Sequence, residues 1–358
     1  MRKNCLLLLM LPWFVSCYEE IIIPVGEKEP VLVMNAQMNS LEQYHHILLS
    51  SSYLSKVEPL HDADVQVFVN GSLVARPEEA ETSFQASWYG FEASFQPGDI
   101  VRITAGKDGR SVSAEVTVPS PVPIGSIDTS SVRMTFLDET TDYLQLKVRF
   151  RDLPGPSWYG VAVQVREDWE YRDSSGTVIP EYSVSDIRHY LPLETGFDPV
   201  ISEGAGKTVG GDLASLLSAE NTYHCFSDGA VADEECTLRV LCYPHDFYMP
   251  EFHYGLTYPS TMAGEESEWE TLSRLYRRVT RSCRFCLRSL DFSQYHYLKA
   301  LENLETFGGE VSFLVEPTTL PSNVEGGLGF VGIEAVTEVE CARFEREYTP
   351  LDDILYTW

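Results

Sequence analysis

Tyr143-Leu144-Gln145-Leu146-Lys147-Val148-Arg149-Phe150 alternates side chains in and out of an apolar set. That period of two sends successive residues to opposite faces of a strand. The pattern returns over residues 159–165, past the Pro154-Gly155-Pro156 turn. Upstream, Val31-Leu32-Val33-Met34, His46-Ile47-Leu48-Leu49 and Val65-Gln66-Val67-Phe68-Val69 are short apolar runs of strand length. Asn70-Gly71 and Asp108-Gly109 follow or separate such runs, the dipeptides favoured where a two-residue hairpin needs positive φ twice. Pro97-Gly98-Asp99 turns the chain into Ile100-Val101-Arg102-Ile103. Short strands at this spacing predict a mainly β protein.

The expected organisation is an immunoglobulin-like β-sandwich over residues 30–118 and a larger β-rich domain with a few short helices over residues 125–358. Pro119-Ser120-Pro121-Val122-Pro123 reads as a stiff linker between them, residues 119–124. Two helices are predicted, residues 213–219 and residues 294–304. The second takes Ser293 as its N-cap and places Tyr297, Leu298, Leu301 and Leu304 on one face.

The first residues carry a different pattern. Arg2 and Lys3 precede an apolar run from Cys5 to Val15, which ends on Ser16-Cys17. The run is much shorter than the roughly 20 residues of a spanning helix and reads as a lipoprotein signal, residues 1–16, cut before an acylated Cys17. Residues 17–29 then form a lipidated tether. Glu19 and Glu20, just behind that cysteine, resemble the export signal of surface lipoproteins. The expected address is the outer membrane, lipid-anchored and facing the cell exterior.

Charge narrows the partners. The chain has 26 Lys+Arg against 54 Asp+Glu, a formal −28, which repels nucleic acid and anionic headgroups. Within it, Arg274, Arg277, Arg278, Arg281, Arg284 and Arg288 form the one basic cluster. It reads either as a partner-docking surface or as a set of counter-charges for neighbouring carboxylates. Cys225, Cys236, Cys242, Cys283, Cys286 and Cys341 are an even set in an exported chain, which predicts disulfides with about 15 possible full pairings, mostly free buried thiols being the alternative. Cys283 and Cys286 read as lying on one strand with opposite faces, which argues against a shared zinc and for different disulfide partners.

Catalytic and cofactor motifs are weak. Gly327-Leu328-Gly329-Phe330-Val331-Gly332 spells a dinucleotide fingerprint, but an alternating strand-like segment follows where a helix is required. His245, Glu251 and His253 are the best metal candidate and lack recognised metal spacing. Neither G-x-S-x-G nor S-x-x-K with partners occurs. Trp88-Tyr89 and Trp158-Tyr159 read as core aromatics or as platforms for sugar rings. No enzyme activity and no cofactor or metal are therefore expected.

Several segments together carry a resemblance. After the lipobox come Pro30-Val31-Leu32-Val33, Ala63-Asp64-Val65-Gln66-Val67, Phe95-Gln96-Pro97-Gly98-Asp99 and the 119–124 junction. Tyr295-His296-Tyr297-Leu298-Lys299-Ala300-Leu301 and the segment 322–332 follow near the end. In this order they resemble the Bacteroidota outer-membrane lipoproteins grouped as domain-of-unknown-function family 4249. The resemblance implies a surface lipoprotein that travels with a TonB-dependent outer-membrane receptor, and offers no catalytic residues. The expected function is a non-catalytic accessory or binding subunit of such a transport complex, with small-molecule, glycan or peptide cargo unspecified. A structural adhesin or assembly subunit, and a cell-surface hydrolase, are the alternatives.

Overall fold

Alternation becomes strand wherever it was read. The computed structural model describes residues 30–53, 56–136, 139–203, 221–230, 235–248, 275–307 and 320–348. Before the proline-rich junction come β1 (Val31–Asn39), β2 (Tyr44–Tyr53), β3 (Lys56–Pro59), β4 (Asp64–Val69), β5 (Ser72–Ala75), β6 (Glu78–Thr82), β7 (Ser87–Glu92), β8 (Ile100–Lys107) and β9 (Arg110–Thr117). After it come β10 (Ile124–Phe136), β11 (Glu139–Arg151), β12 (Trp158–Arg172), β13 (Val184–Tyr190), β14 (Cys225–Ser227), β15 (Glu235–Cys242), β16 (Tyr276–Leu290) and β17 (Val331–Tyr348). Two α-helices are described, α1 (Pro244–Tyr248) and α2 (Phe292–Phe307). The protein is mainly β. The helix expected over 213–219 lies outside the described residues.

Both hairpin dipeptides do what their backbone chemistry favours. Asn70 and Gly71 have φ of 51° and 78° between β4 and β5, and Asp108 and Gly109 have 52° and 77° between β8 and β9.

Ten described strands form one long sheet, in the order β13-β12-β16-β17-β1-β2-β7-β6, with β14 beside β12 and β3 beside β2. Two smaller sheets pack against one face of it, β5-β4-β8-β9 and β10-β11-β15. The first pairing buries Met34, Ile47, Leu49, Val67, Val101 and Ile103 in a continuous aliphatic cluster. The second buries Leu146, Val148, Val161, Val163, Leu238, Val240 and Phe285. Truncating one such side chain to Ala costs about 2–5 kcal/mol, because transfer and cavity terms add.

β17 joins the halves. Its start runs parallel to β1, with Met38 opposite Ile333, and its remainder runs antiparallel to β16. The sheet therefore crosses the expected 119–124 partition. That junction is also packed: Val118 is buried in the first core and Val122 in the second. At Gly329 φ is +117°, and a Cβ there would run into the Met34 carbonyl oxygen. The apparent dinucleotide fingerprint is thus a close-packing turn that brings Leu328 and Phe330 into hydrogen bonds with β1.

Register also shifts between Cys283 and Arg284, where Cys341 is the extra residue of a bulge in β17. Below the bulge the parity flips, so Ala342 and Phe344 return to the core side; both pack on the second cluster.

α2 starts two residues earlier than expected at its cap. Asp291 Oδ1 accepts from the Gln294 N–H at 2.7 Å, so Asp291, not Ser293, is the N-cap. Its most buried residues are Gln294, Leu298 and Glu302 rather than the expected Tyr297-Leu298-Leu301-Leu304 face, and Leu304 is exposed. Glu302 tolerates burial because its carboxylate accepts from the Thr222 N–H at 2.6 Å and pairs with Lys299 at 3.5 Å.

Candidate functional site

One face of the long sheet carries the two cores; on the other, side chains range from buried Gln164 and Cys286 to exposed Tyr44. On that open face period two collects Gln164 and Arg166 from β12, Arg284, Cys286 and Arg288 from β16, and Glu334 and Glu338 from β17. It continues through Asn35, Gln37 and Asn39 of β1 to Tyr44, His46 and Leu48 of β2 and Trp88 of β7. Two clefts lie along it and share Glu42 on the β1–β2 turn.

The first cleft, about 120 Å³, is lined by Arg166, Arg188, Arg288, Glu334, Glu338 and Tyr190 among others. Its arginines are all engaged by neighbouring acceptors. Arg166 forks onto both oxygens of Glu338 at 2.8 Å and donates to Gln164 Oε1 at 2.7 Å. Arg284 reaches Glu338 at 3.3 Å, and Arg188 forks onto Asp186 at 2.9 and 2.5 Å. Arg288 donates to the Tyr223 carbonyl at 2.7 Å and lies 3.4 Å from Glu334. It lies flat across β12 because Gly160 has no Cβ; one would sit 2.6 Å from its Nη2. Burial pushes the Glu334 carboxyl up, against the pull of Arg288. Beside them, burial and then the Arg288 charge hold His224 down at about 4, so it is neutral near pH 7.

The second cleft is larger, about 340 Å³, and differently made. Tyr44 and Trp88 meet the His46 ring edge-on, at centroid distances of 4.9 and 5.5 Å. Tyr297 of α2 stacks on Phe330 at 4.3 Å and 11°, closing another wall. Asn35, Gln37 and Glu42 supply its amide and carboxylate groups. His46 Nδ1 is buried without a hydrogen-bond partner among the described residues. Tyr44 stays 48% exposed.

Most of the basic cluster does not form one surface. β16 sends Arg277 and Arg281 to the covered face and Arg278, Arg284 and Arg288 to the other; Arg274 lies outside the described residues. Arg281 is fully buried against Glu167 at 3.4 Å, and Glu167 also accepts from Trp169 Nε1 at 3.0 Å. Arg277 sits between the Trp169 and Tyr348 rings, 4.9 and 4.6 Å from their centroids. Arg278 pairs with Glu345. A strand's two-residue period splits what looks continuous in sequence, and carboxylates answer the exposed part.

The disulfide expectation is corrected. Cys225, Cys236, Cys242, Cys283, Cys286 and Cys341 are free thiols. Cys236 and Cys242 sit at opposite ends of β15, about 20 Å apart by strand rise. Cys283 faces the second core while Cys286 lines the charged cleft, as opposite strand faces require. Cys341 donates to the Cys283 carbonyl at 3.3 Å instead of bonding its sulfur. Burial pushes Cys242, Cys286 and Cys341 up to about 12 and Cys225 to about 11, so all four rest as unreactive thiols.

Other candidates fall apart in space. His245 is an exposed side chain on α1, 3.5 Å from Asp246, while Glu251 and His253 lie outside the described residues. Among the described residues no group of three His, Cys, Asp or Glu side chains is placed to hold a metal ion. Cys17, Glu19 and Glu20 also lie outside them. Tyr89 is core, its hydroxyl donating to Leu60 and accepting from Ala63, and Tyr159 packs on Phe150. Trp158 packs on Phe292. Of the four aromatics singled out from sequence, only Trp88 reaches the open face cleft. Its partners there come from β2, α2 and the segment before β17, with no local signal joining them.

Comparison with known families matches the chain to a domain of unknown function (DUF4249) over residues 18–340. The chain belongs to that family. No curated protein matches it.

Proposed function

We propose that this DUF4249 protein is a lipid-anchored lipoprotein of the outer membrane, facing the cell exterior, and serves as a non-catalytic binding subunit beside a TonB-dependent receptor. The observation that carries the binding role is the open face of the long sheet. Its larger cleft presents aromatic rings, amides and a carboxylate toward a cavity, the equipment of recognition. The anchor is supported by the Arg2-Lys3, apolar run and Ser16-Cys17 order, and the family match begins at residue 18, immediately after that cysteine. An anchored body meets a membrane barrel in two dimensions, so a modest interface suffices through raised effective concentration.

Purification of the native protein from detergent-solubilised outer membranes tests this reading. A barrel receptor at stoichiometric level supports it. Recovery of the protein alone contradicts the receptor partnership, and recovery as a self-polymer favours an assembly subunit instead. Cys17→Ala is expected to release the protein from membranes or leave its leader uncleaved; unchanged fractionation and processing would place the anchor elsewhere.

A further inference from the structure

We propose that the 340 Å³ aromatic cleft binds a neutral oligosaccharide, taking one or two sugar rings against Tyr44 and Trp88. The size comes first: about 340 Å³ lies at the lower end of the roughly 300–1,000 Å³ of small-ligand sites. The lining then selects the chemistry. A purely apolar ligand would leave the Gln37 amide, the Glu42 carboxylate and the Asn35 amide nitrogen desolvated and unmatched, at a cost for each buried polar atom. A sugar offers both halves, with C–H faces for aromatic rings and hydroxyls that donate and accept. Among the described residues Leu48 is the one large aliphatic side chain of the lining, where a lipid site would be built from many.

Charge decides between sugar classes. Among the described residues, Glu42 is the only Asp, Glu, Lys or Arg of this lining, and the whole chain carries −28. An acidic sugar would meet a carboxylate with no guanidinium inside the cleft, since the arginines of the neighbouring cleft are held by Glu338, Glu334 and Asp186. A neutral sugar meets no such penalty, and Glu42 accepts from its hydroxyls.

The inference deepens the binding-subunit reading and rests on it, yet the two fail separately, because the test needs no receptor. The full-length protein, in a detergent without a sugar headgroup, is titrated calorimetrically with maltohexaose, cellohexaose and mannohexaose. At least one should bind saturably. Trp88→Ala and Tyr44→Ala should each weaken that binding at least about tenfold, while Arg188→Ala on the charged cleft changes it less than about twofold. Tyr44 is exposed, so its replacement keeps the test valid should Trp88→Ala unfold, and circular dichroism checks both. No heat of binding from any of the three sugars overturns the proposal. So does binding that survives Tyr44→Ala and Trp88→Ala, or that is lost in Arg188→Ala alone.

Discussion

The two ends of the open face are built from the same sheet and put their polar groups to opposite uses. Around β12, β16 and β17, arginines and carboxylates interlock: Arg166 with Glu338, Arg288 with Glu334, and on the covered face Arg281 with Glu167. Around β1, β2 and β7, the open face carries few charges, and Tyr44, His46 and Trp88 stand beside amides with room between them. The charged end pairs its guanidinium groups with carboxylates, although Arg284 Nε and Arg288 Nε, like His46 Nδ1 at the aromatic end, are buried without a hydrogen-bond partner among the described residues. A conspicuous charge cluster is therefore a weak guide to function unless its members lack partners, and the quieter end is the better binding candidate.

The largest test of this contrast is Glu167→Ala. It removes the carboxylate 3.4 Å from Nε of the fully buried Arg281. Breaking a buried pair from one side costs about 3–5 kcal/mol. Urea unfolding should show that loss; a change below about 1 kcal/mol would mean the charged end is not structural.

Acid sharpens the same point. His224 sits beside Arg288 with its pKa held at about 4 by burial and by that charge. A base with a depressed folded-state pKa lets the unfolded chain bind the extra proton. Stability is therefore complete above about pH 6.5 and declines as pH falls toward 4. The loss is on the order of 1–3 kcal/mol. His224→Asn, chosen because the residue has φ of 51°, should flatten the pH 4–6.5 limb of a stability profile. An unchanged limb would assign it to other groups.

α2 links the ends, since its Tyr297 walls the aromatic cleft. Asp291→Ala removes its N-cap at a cost of about 1 kcal/mol. Thermal unfolding reads that cost, and weakened sugar binding would follow if Tyr297 shifts. Least costly is Tyr44→Ala, at an exposed site. It should change stability within about 0.5 kcal/mol while removing most of the binding, the reverse of Glu167→Ala.

Much of the fold was legible because its causes are local. The alternation of β11 and β12 and the Asn70-Gly71 and Asp108-Gly109 hairpins depend on neighbours in the chain. The parallel seating of β17 beside β1 does not, since it pairs residues nearly 300 positions apart. The helix face was misread because Glu302 and Gln294 are buried, and the Glu302 partner, Thr222, lies on a distant loop. Disulfides were expected from the compartment, which says that sulfurs are free to oxidise but not that strands bring them together. Division of the arginines follows from period two and was readable. Their carboxylate partners on β12 and β17 were not. Of the cleft only Trp88 was visible, because Tyr44, His46, Tyr297 and Phe330 converge from three separate segments.

Amide hydrogen exchange of the full-length protein, with and without a saturating neutral oligosaccharide, tests the contrast most directly. The account predicts added protection confined to residues 35–48 and 87–90, with the 160–166 and 284–288 segments unchanged. Protection centred on those charged segments, or none anywhere at saturation, would contradict it.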